Sequence, residues 1–126
     1  NRVAELARAY AGPLVIKSFD PRIVAHWHRL NTGIPVGIVA MSEYEYSDYV
    51  RLTPAEKHAL ANLLHFTESR PDFVSWRGRD PPPAPPHLCR AALGLPLMSW
   101  TLRTPPERAI AAQHADQMVF ESFVPE

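Results

Sequence analysis

The stretch "LPLMSWTLRTPPERAIAAQHADQMVFESF" (residues 95–123) contains two apolar runs separated by a polar segment that begins with prolines. The runs at 96–101 and 117–123 are mostly continuous rather than alternating, which is typical of parallel strands covered on both faces. The segment from Thr104 to Ala115 predicts a helix, because Thr104 can cap it and prolines occupy its first positions. This stretch therefore predicts a strand–helix–strand unit.

The same alternation extends through the rest of the chain. Apolar runs predict three further strands, at 14–20, 32–41 and 71–76. Helical patterns lie before and between them, at 2–11, 20–30 and 53–66 and in the short segment that ends at Gly94. Five strands that alternate with helices favour an α/β domain with a parallel sheet, in which binding residues collect at the carboxyl ends of the strands.

The helix predicted at 53–66 has the most specific signals. Thr53 followed three residues later by Glu56 matches a capping box, in which each side chain bonds the other residue's backbone N–H. The apolar spacing predicts a buried face for this helix. Its members are Leu60, Leu63 and Leu64.

The composition excludes several classes of protein. Thirteen Lys and Arg balance thirteen Asp and Glu, so the formal net charge is zero and no basic footprint for nucleic acid is present. The single Cys89 permits no internal disulfide and no C-x-x-C zinc motif. No apolar run approaches the roughly twenty residues that span a bilayer. We therefore expect a soluble protein without a membrane span, and the cytoplasm and the periplasm both remain open as compartments.

Three motifs, in this order, carry a resemblance to a known family. They are Ser18-Phe19-Asp20, then Trp100-Thr101-Leu102, then the run from Asp116 to Glu121. Together with "PVGIVA" (35–40), they resemble the second half of the glycerophosphodiester phosphodiesterase family. The resemblance implies a parallel (β/α)8 TIM barrel, of which residues 1–126 supply strands four to eight as the C-terminal portion of a single domain. Strands one to three are then expected to be absent from this sequence.

The resemblance also implies a reaction. Members of this family are phosphoric diester hydrolases of lipid and glycerol metabolism, which convert glycerophosphodiesters to an alcohol and glycerol 3-phosphate with a divalent metal, Mg²⁺ or Ca²⁺. The family's catalytic histidines and metal-binding carboxylates lie on the first three strands, so no catalytic or metal residue is predicted in this segment. This half is expected to form the wall of the substrate pocket. The alternative is a catalytically inactive half-barrel that pairs with itself or with a partner.

Three side chains near strand ends are predicted to contact the substrate. Trp100 is predicted to offer its flat face to the glycerol backbone, with a core role at the top of the barrel as the alternative. Phe19 is predicted to line the same wall, again with a core role as the alternative. Lys17 is costly inside an apolar strand unless it is paired or bound to an anion, so it is predicted to approach phosphate or to form a salt bridge.

Ser18 and Glu121 complete the predicted substrate-binding set. Alternation along the strand places Lys17 and Phe19 on one face and Ser18 on the other. Glu121 stands where the family commonly has Asp at the end of the eighth strand, and it is predicted to bind substrate hydroxyls or to be simply solvated.

The remaining polar groups allow weaker predictions. The loop "SEYEYSDYV" (42–50) is expected to overhang the mouth of a barrel, where Tyr44, Tyr46 and Tyr49 either recognise the alcohol or pack as a lid. The six histidines, including His65, form no i, i+4 chelating pair and are predicted to lie at the surface.

Two further expectations follow from the strands. Unpaired outer strands would expose backbone groups, so the chain is expected to need the missing half-barrel or to form a homo-oligomer.

A flavodoxin-like open sheet also has five alternating strands. It would place a Gly-rich phosphate loop after the first strand, and "KSFDPR" (17–22) contains no glycine.

Overall fold

The computed structural model describes residues 2–44, 49–78 and 84–124. The helices are α1 (Arg2–Ala9), α2 (Pro21–Arg29), α3 (Pro54–Ala61), α4 (Phe66–Ser69), α5 (Ala84–Leu93) and α6 (Pro105–His114). The strands are β1 (Ile16–Ser18), β2 (Val36–Ala40), β3 (Phe73–Arg77), β4 (Leu97–Leu102) and β5 (Gln117–Phe120). None of the described helices is long and apolar enough to cross a membrane.

The five strands form one parallel sheet in the order β1-β2-β3-β4-β5. Each new strand is therefore added beside the previous one, as in a β/α barrel. A flavodoxin-like sheet has the order 2-1-3-4-5 instead. The prediction of a parallel α/β fold is confirmed, and the strand order excludes the flavodoxin-like alternative.

Side-chain caps fix the starts of three helices, and those on α3 and α6 are the ones that the sequence predicted. The Asp20 carboxylate accepts a hydrogen bond from Arg22 N at the start of α2. Thr53 and Glu56 form a complete capping box on α3. The Thr104 hydroxyl accepts from the backbone N–H of the third residue of α6. Each cap satisfies a backbone donor that has no partner within the helix.

The prediction of one helix over 53–66 is wrong, because the helix ends at Ala61 and a turn follows. As α3 ends, the Asn62 side chain donates to the His58 carbonyl oxygen at 2.9 Å. Leu63 then adopts a left-handed conformation with φ of 53°. This turn brings Leu63 into the core but leaves Leu64 63% exposed, so Leu64 is not part of a buried face.

The main hydrophobic core lies between the sheet and the helices. Alternate residues of the strands face this core, and small residues of α1 let that helix pack close to the sheet. Its buried members are Ala4, Ala7, Val24, Trp27, Val36, Ile38, Ala40, Leu63, Val74, Trp76, Cys89, Leu97 and Ala115.

The strand residues of the other parity face away from the helices. The register aligns Lys17 with Gly37, Gly37 with Phe73, and Arg77 with Trp100, so all of these positions share one face. We call this the concave face. Its strand positions on β1 to β4 are Lys17, Gly37, Val39, Phe73, Ser75, Arg77, Met98 and Trp100, and Phe19 continues the alternation just beyond β1.

Two aspartates fix the strands at their amino ends. Asp72, just before β3, accepts a hydrogen bond from Val36 N of β2 at 2.9 Å. Asp116, just before β5, likewise accepts from Leu97 N of β4 at 2.8 Å. The side-chain hydrogen bond from Arg90 is the main cause that lowers the pKa of Asp116, and the Leu97 N–H adds to it. The aspartate of the third sequence motif therefore has a structural role here.

Gly37 is required by packing on the concave face, since a Cβ at this position would overlap the ring of Phe73. Both β2 and β3 are buried, so neither strand can shift freely to make room. We expect Gly37→Ala to lower the free energy of unfolding by about 1–3 kcal/mol, as overpacking does in well-filled cores. Urea unfolding followed by circular dichroism measures this change.

The matched control is the double variant Gly37→Ala with Phe73→Leu, which removes the ring that the new methyl group meets. The double variant should lose less stability than the two single losses added together. Strict additivity would contradict the proposed overlap.

Candidate functional site

An aromatic cluster lies at the carboxyl ends of the strands. The Phe19 and Trp100 rings meet edge to face, with centroids 5.8 Å apart and planes at 89°. Phe19 also lies 6.4 Å from Tyr49, and Tyr49 lies 5.2 Å from Tyr44. Tyr46 lies outside the described residues. The aromatic cluster (Phe19, Tyr44, Tyr49 and Trp100) therefore joins β1, β4 and the loop after β2.

This contact shows that the sheet curls. Phe19 follows β1 and Trp100 belongs to β4, so two strands lie between them. In a flat sheet their strands would stand about 14 Å apart, three spacings of about 4.8 Å. A ring separation of 5.8 Å requires the sheet to bend so that its concave face closes on itself.

Trp100 is held in place from three sides. Its Nε1 donates to the Ser75 carbonyl oxygen at 3.1 Å, and Phe19 meets the ring edge to face. The Arg77 guanidinium lies 5.9 Å from the centre of the indole ring, within the range of a cation–π contact. The indole is therefore fixed in orientation while remaining partly exposed.

Lys17 reaches across the concave face toward the same place. Its Nζ lies 3.4 Å from the Ser75 Oγ, a long hydrogen bond that spans from β1 to β3. None of the ion pairs between described residues includes Lys17, so the salt bridge considered from the sequence is not formed there. The ammonium group is exposed and able to meet an anion.

The other two predicted residues have different surroundings. Ser18 faces the helices, and its Oγ accepts a hydrogen bond from Asp20 N at 3.1 Å. Glu121 follows β5 and pairs with Arg103 at 3.1 Å, with its side chain 58% exposed. The structure thus brings Lys17, Phe19 and Trp100 together, whereas Ser18 and Glu121 are engaged elsewhere. Substrate contact remains a prediction for all five.

Sequence reasoning did not single out Ser75 and Arg77. Both touch Trp100, one through its carbonyl oxygen and the other through its guanidinium. A signal was present in "FVSWR" (73–77), where alternation places Phe73, Ser75 and Arg77 on one face. Because this run is mostly apolar, the alternation that gives the strand two different faces was not recognised.

A cavity of about 470 Å³ adjoins the aromatic cluster on the side of α3. It is lined by residues from the loops after β1 and β2, from α3 and from the turn between α3 and α4, including Phe19, Tyr44, Tyr49, Arg51 and His65. A larger cavity of about 590 Å³ lies at the opposite, amino ends of the strands, beside Asp72 and Asp116. Binding sites of β/α folds form at the carboxyl ends, so the smaller cavity is the one that belongs to the candidate site.

Two titratable groups on this cavity are shifted by burial. Burial raises the pKa of the Tyr44 phenol to about 12. Burial is also the main cause that lowers the pKa of His65, whose Nδ1 lies 2.8 Å from the Ser69 Oγ. The prediction that all histidines lie at the surface is therefore wrong for His65, because the break after α3 folds that residue inward.

The described residues contain no group of three or more His, Cys, Asp or Glu side chains able to hold a metal ion. The residues that converge on the concave face are aromatic, hydroxyl-bearing and cationic. Such a set can bind an anion and an apolar surface, but it does not fit a hard divalent cation, which prefers several oxygen ligands.

Comparison with protein-family models and with curated proteins gives no match. The fold is similar to a crystal structure from Silicibacter pomeroyi, a protein provisionally assigned as a glycerophosphoryl diester phosphodiesterase. The TM-score is 0.57 and the sequence identity is 22%, over 84% of this chain and 33% of that chain.

The chain thus corresponds to about a third of the length of that protein. At this level of identity the likeness shows the fold alone: five parallel strands that alternate with helices form part of a TIM barrel. The predicted fold class is confirmed in this respect. The assignment of these strands to positions four to eight remains a prediction.

The contact between Phe19 and Trp100 is testable by a double-mutant cycle. We expect Phe19→Leu and Trp100→Leu to show a coupling energy of about 0.5–1.5 kcal/mol, because edge-to-face ring pairs contribute this much beyond area burial. Urea unfolding of the native protein, both single variants and the double variant measures it. Pairing Phe19→Leu with Leu88→Ala on α5 provides the control, which should be additive. Additive losses in both cycles would contradict the curl.

The raised pKa of Tyr44 predicts a loss of stability in alkali. The unfolded chain releases a tyrosine proton near pH 10, whereas the folded chain keeps this one until about pH 12. The free energy of unfolding should therefore fall as the pH rises between these values. Tyr44→Phe should show a shallower fall in chemical denaturation at pH 9 to 12. An identical slope in the variant would show that Tyr44 is not the group responsible.

Proposed function

We propose that this chain forms a wall of the substrate pocket in a phosphoric diester hydrolase that converts glycerophosphodiesters to an alcohol and glycerol 3-phosphate. The likeness of the fold to a protein assigned this activity supports the proposal. The order of the three sequence motifs supports it independently. The observation that carries it is that Lys17 and Trp100 meet at Ser75: the ammonium group lies 3.4 Å from the Ser75 Oγ, and the indole Nε1 donates to the Ser75 carbonyl oxygen.

The chemistry of these side chains suits such a substrate. A phosphodiester carries one negative charge, which the Lys17 ammonium group would neutralise through charge-assisted hydrogen bonds. The glycerol carbon backbone would lie against the partly exposed indole of Trp100, which Ser75 and Phe19 hold in orientation. Binding of a phosphate and of its glycerol chain by one wall would place the scissile bond at a defined point.

The proton transfers and the metal are assigned to other parts of the barrel. A bound Mg²⁺ or Ca²⁺ would neutralise phosphoryl oxygens and stabilise the transition state. The described residues do not fit such an ion. We propose that its ligands, and the histidines that act as general acid and base, belong to parts of the barrel other than the described strands.

Dialysis against a chelator should then abolish hydrolysis, and added Mg²⁺ or Ca²⁺ should restore it.

The role of Lys17 is tested by steady-state kinetics on the full-length polypeptide that contains this chain. We expect Lys17→Met to lower kcat/KM for glycerophosphodiesters about tenfold or more, because an anion contact is lost. Lys17→Arg should retain part of the activity. The control is Lys57→Met, which removes the chain's one other lysine, on α3. Equal kinetics for Lys17→Met and the native protein would remove Lys17 from the proposed site.

The alternative is a catalytically inactive half-barrel that pairs with itself or with a partner. It predicts no release of glycerol phosphate under any metal condition, together with an assembly larger than one chain by light scattering. Metal-dependent release of glycerol phosphate that Lys17→Met weakens would exclude this alternative.

A further inference from the structure

Ser75 places a hydroxyl group in a strand whose other buried residues are apolar. It is fully buried on the concave face, beside Val39 of β2 and Met98 of β4. A buried hydroxyl is costly unless it is hydrogen-bonded. Among the described residues, the partner of this hydroxyl is the Lys17 ammonium group at 3.4 Å. The hydroxyl is therefore tied to Lys17, since packing alone would favour an apolar side chain there.

Lys17 gains from this contact because its side chain is long and exposed. A lysine side chain loses rotamer freedom when it is held at one point, and binding an anion has to overcome this loss. A hydrogen bond in the unliganded protein restricts the side chain beforehand, which favours binding. An ammonium group has three N–H donors, so the others remain for phosphate oxygens while one stays on Ser75. The contact with Ser75 is therefore compatible with a bound phosphate.

The backbone of the same residue holds Trp100. The Ser75 carbonyl oxygen accepts a hydrogen bond from the indole Nε1 at 3.1 Å. One residue of β3 thus contacts a group from β1 through its side chain and a group from β4 through its backbone. Because both contacts start from one buried residue, the geometry of Ser75 sets the distance between the ammonium group and the indole.

We propose that Ser75 is a positioning residue whose hydroxyl holds the Lys17 ammonium group in place for the phosphate, at a fixed distance from the indole that meets the glycerol chain. The inference rests on the proposed function, since it concerns how the same pocket wall is organised. Ser75 is fully buried, so it acts through Lys17 and not on the substrate itself. Its hydroxyl should therefore matter only while Lys17 is present.

The test is a double-mutant cycle on kcat/KM in the full-length polypeptide that contains this chain, with glycerophosphocholine as the substrate. Ser75→Ala removes the hydroxyl but keeps the backbone carbonyl, so it should release Lys17 while Trp100 stays in place. We expect kcat/KM to fall about three- to tenfold, as the loss of one hydrogen bond predicts. In the Lys17→Met background the same substitution should change kcat/KM by less than about twofold.

Conservative replacements separate hydrogen bonding from packing. Ser75→Thr keeps the hydroxyl and should retain most of kcat/KM. Ser75→Cys keeps a side chain of similar size, but a thiol is a weak acceptor, so this variant should lose about as much as Ser75→Ala. If the extra methyl group of Ser75→Thr prevents folding, the cycle with Lys17→Met decides alone.

The matched control is Ser99→Ala on the neighbouring strand β4. Ser99 is paired in register with Trp76 of the main core, so it lies on the side of the sheet that faces the helices. Its replacement should leave kcat/KM unchanged. The urea midpoint of Ser75→Ala should stay near that of the native protein, because the released ammonium group is exposed and water can hydrate it.

The outcomes separate the two proposals. A kcat/KM that Ser75→Ala leaves unchanged, or a loss of the same size in the Lys17→Met background, overturns this inference while the proposed function stands. A loss that accompanies a much lower urea midpoint assigns Ser75 a role in stability alone and also overturns it. Absence of hydrolysis of every glycerophosphodiester, with metal supplied, overturns the proposed function and this inference with it. A loss that disappears without Lys17 and that Ser99→Ala does not share supports both.

Discussion

The curl of the parallel sheet is the constraint on which the candidate site depends. Each strand pairs only with its neighbours in the chain, so the sheet can bend continuously without breaking its hydrogen-bond ladder. The bend brings Phe19 at the end of β1 against Trp100 of β4 and lets Lys17 reach Ser75 on β3. Without the bend these side chains would lie along a flat surface, too far apart to meet a single small molecule.

The two faces of the sheet have different surroundings. The face toward the helices holds the main core, and the caps on α2, α3 and α6 fix the helices that cover it. On the concave face, the inner positions Val39, Phe73 and Ser75 are also buried. Ser75 is fully buried although Lys17, whose Nζ contacts its hydroxyl, is exposed. The main core therefore lies on one side of the sheet and the candidate site on the other.

The two edges of the sheet remain unpaired among the described residues, and apolar side chains are exposed near both. Val15 precedes β1 and is 45% exposed, and Phe120 of β5 is 47% exposed and lies against Phe123. A closed barrel has no such edges, because its first and last strands pair with each other. The chain spans about a third of the length of the solved protein it resembles, and its edges are consistent with a part of such a barrel.

The sequence by itself determined the parallel α/β class, the strand–helix order and the helix caps. These depend on local signals: continuous apolar runs, a Thr or Asp before α2, α3 and α6, and prolines in the first turns of these three helices. It also pointed to Lys17 and Trp100, because a charge and an indole are conspicuous near the end of an apolar strand. Local signals did not predict that the helix ends at Ala61. In the turn that follows, the left-handed conformation of Leu63 buries its side chain in the core, and the helix is shorter as a result.

Only the tertiary structure decided which of these residues meet. Alternation separated Ser18 from Lys17, but only the structure shows that Ser18 faces the helices, where it supports the start of α2. Arg77 is far from Trp100 in sequence but lies beside it because parallel register aligns the two positions. His65 is drawn inward by the turn that breaks the helix. Register and curvature are properties of the whole sheet, so no short stretch of sequence contains them.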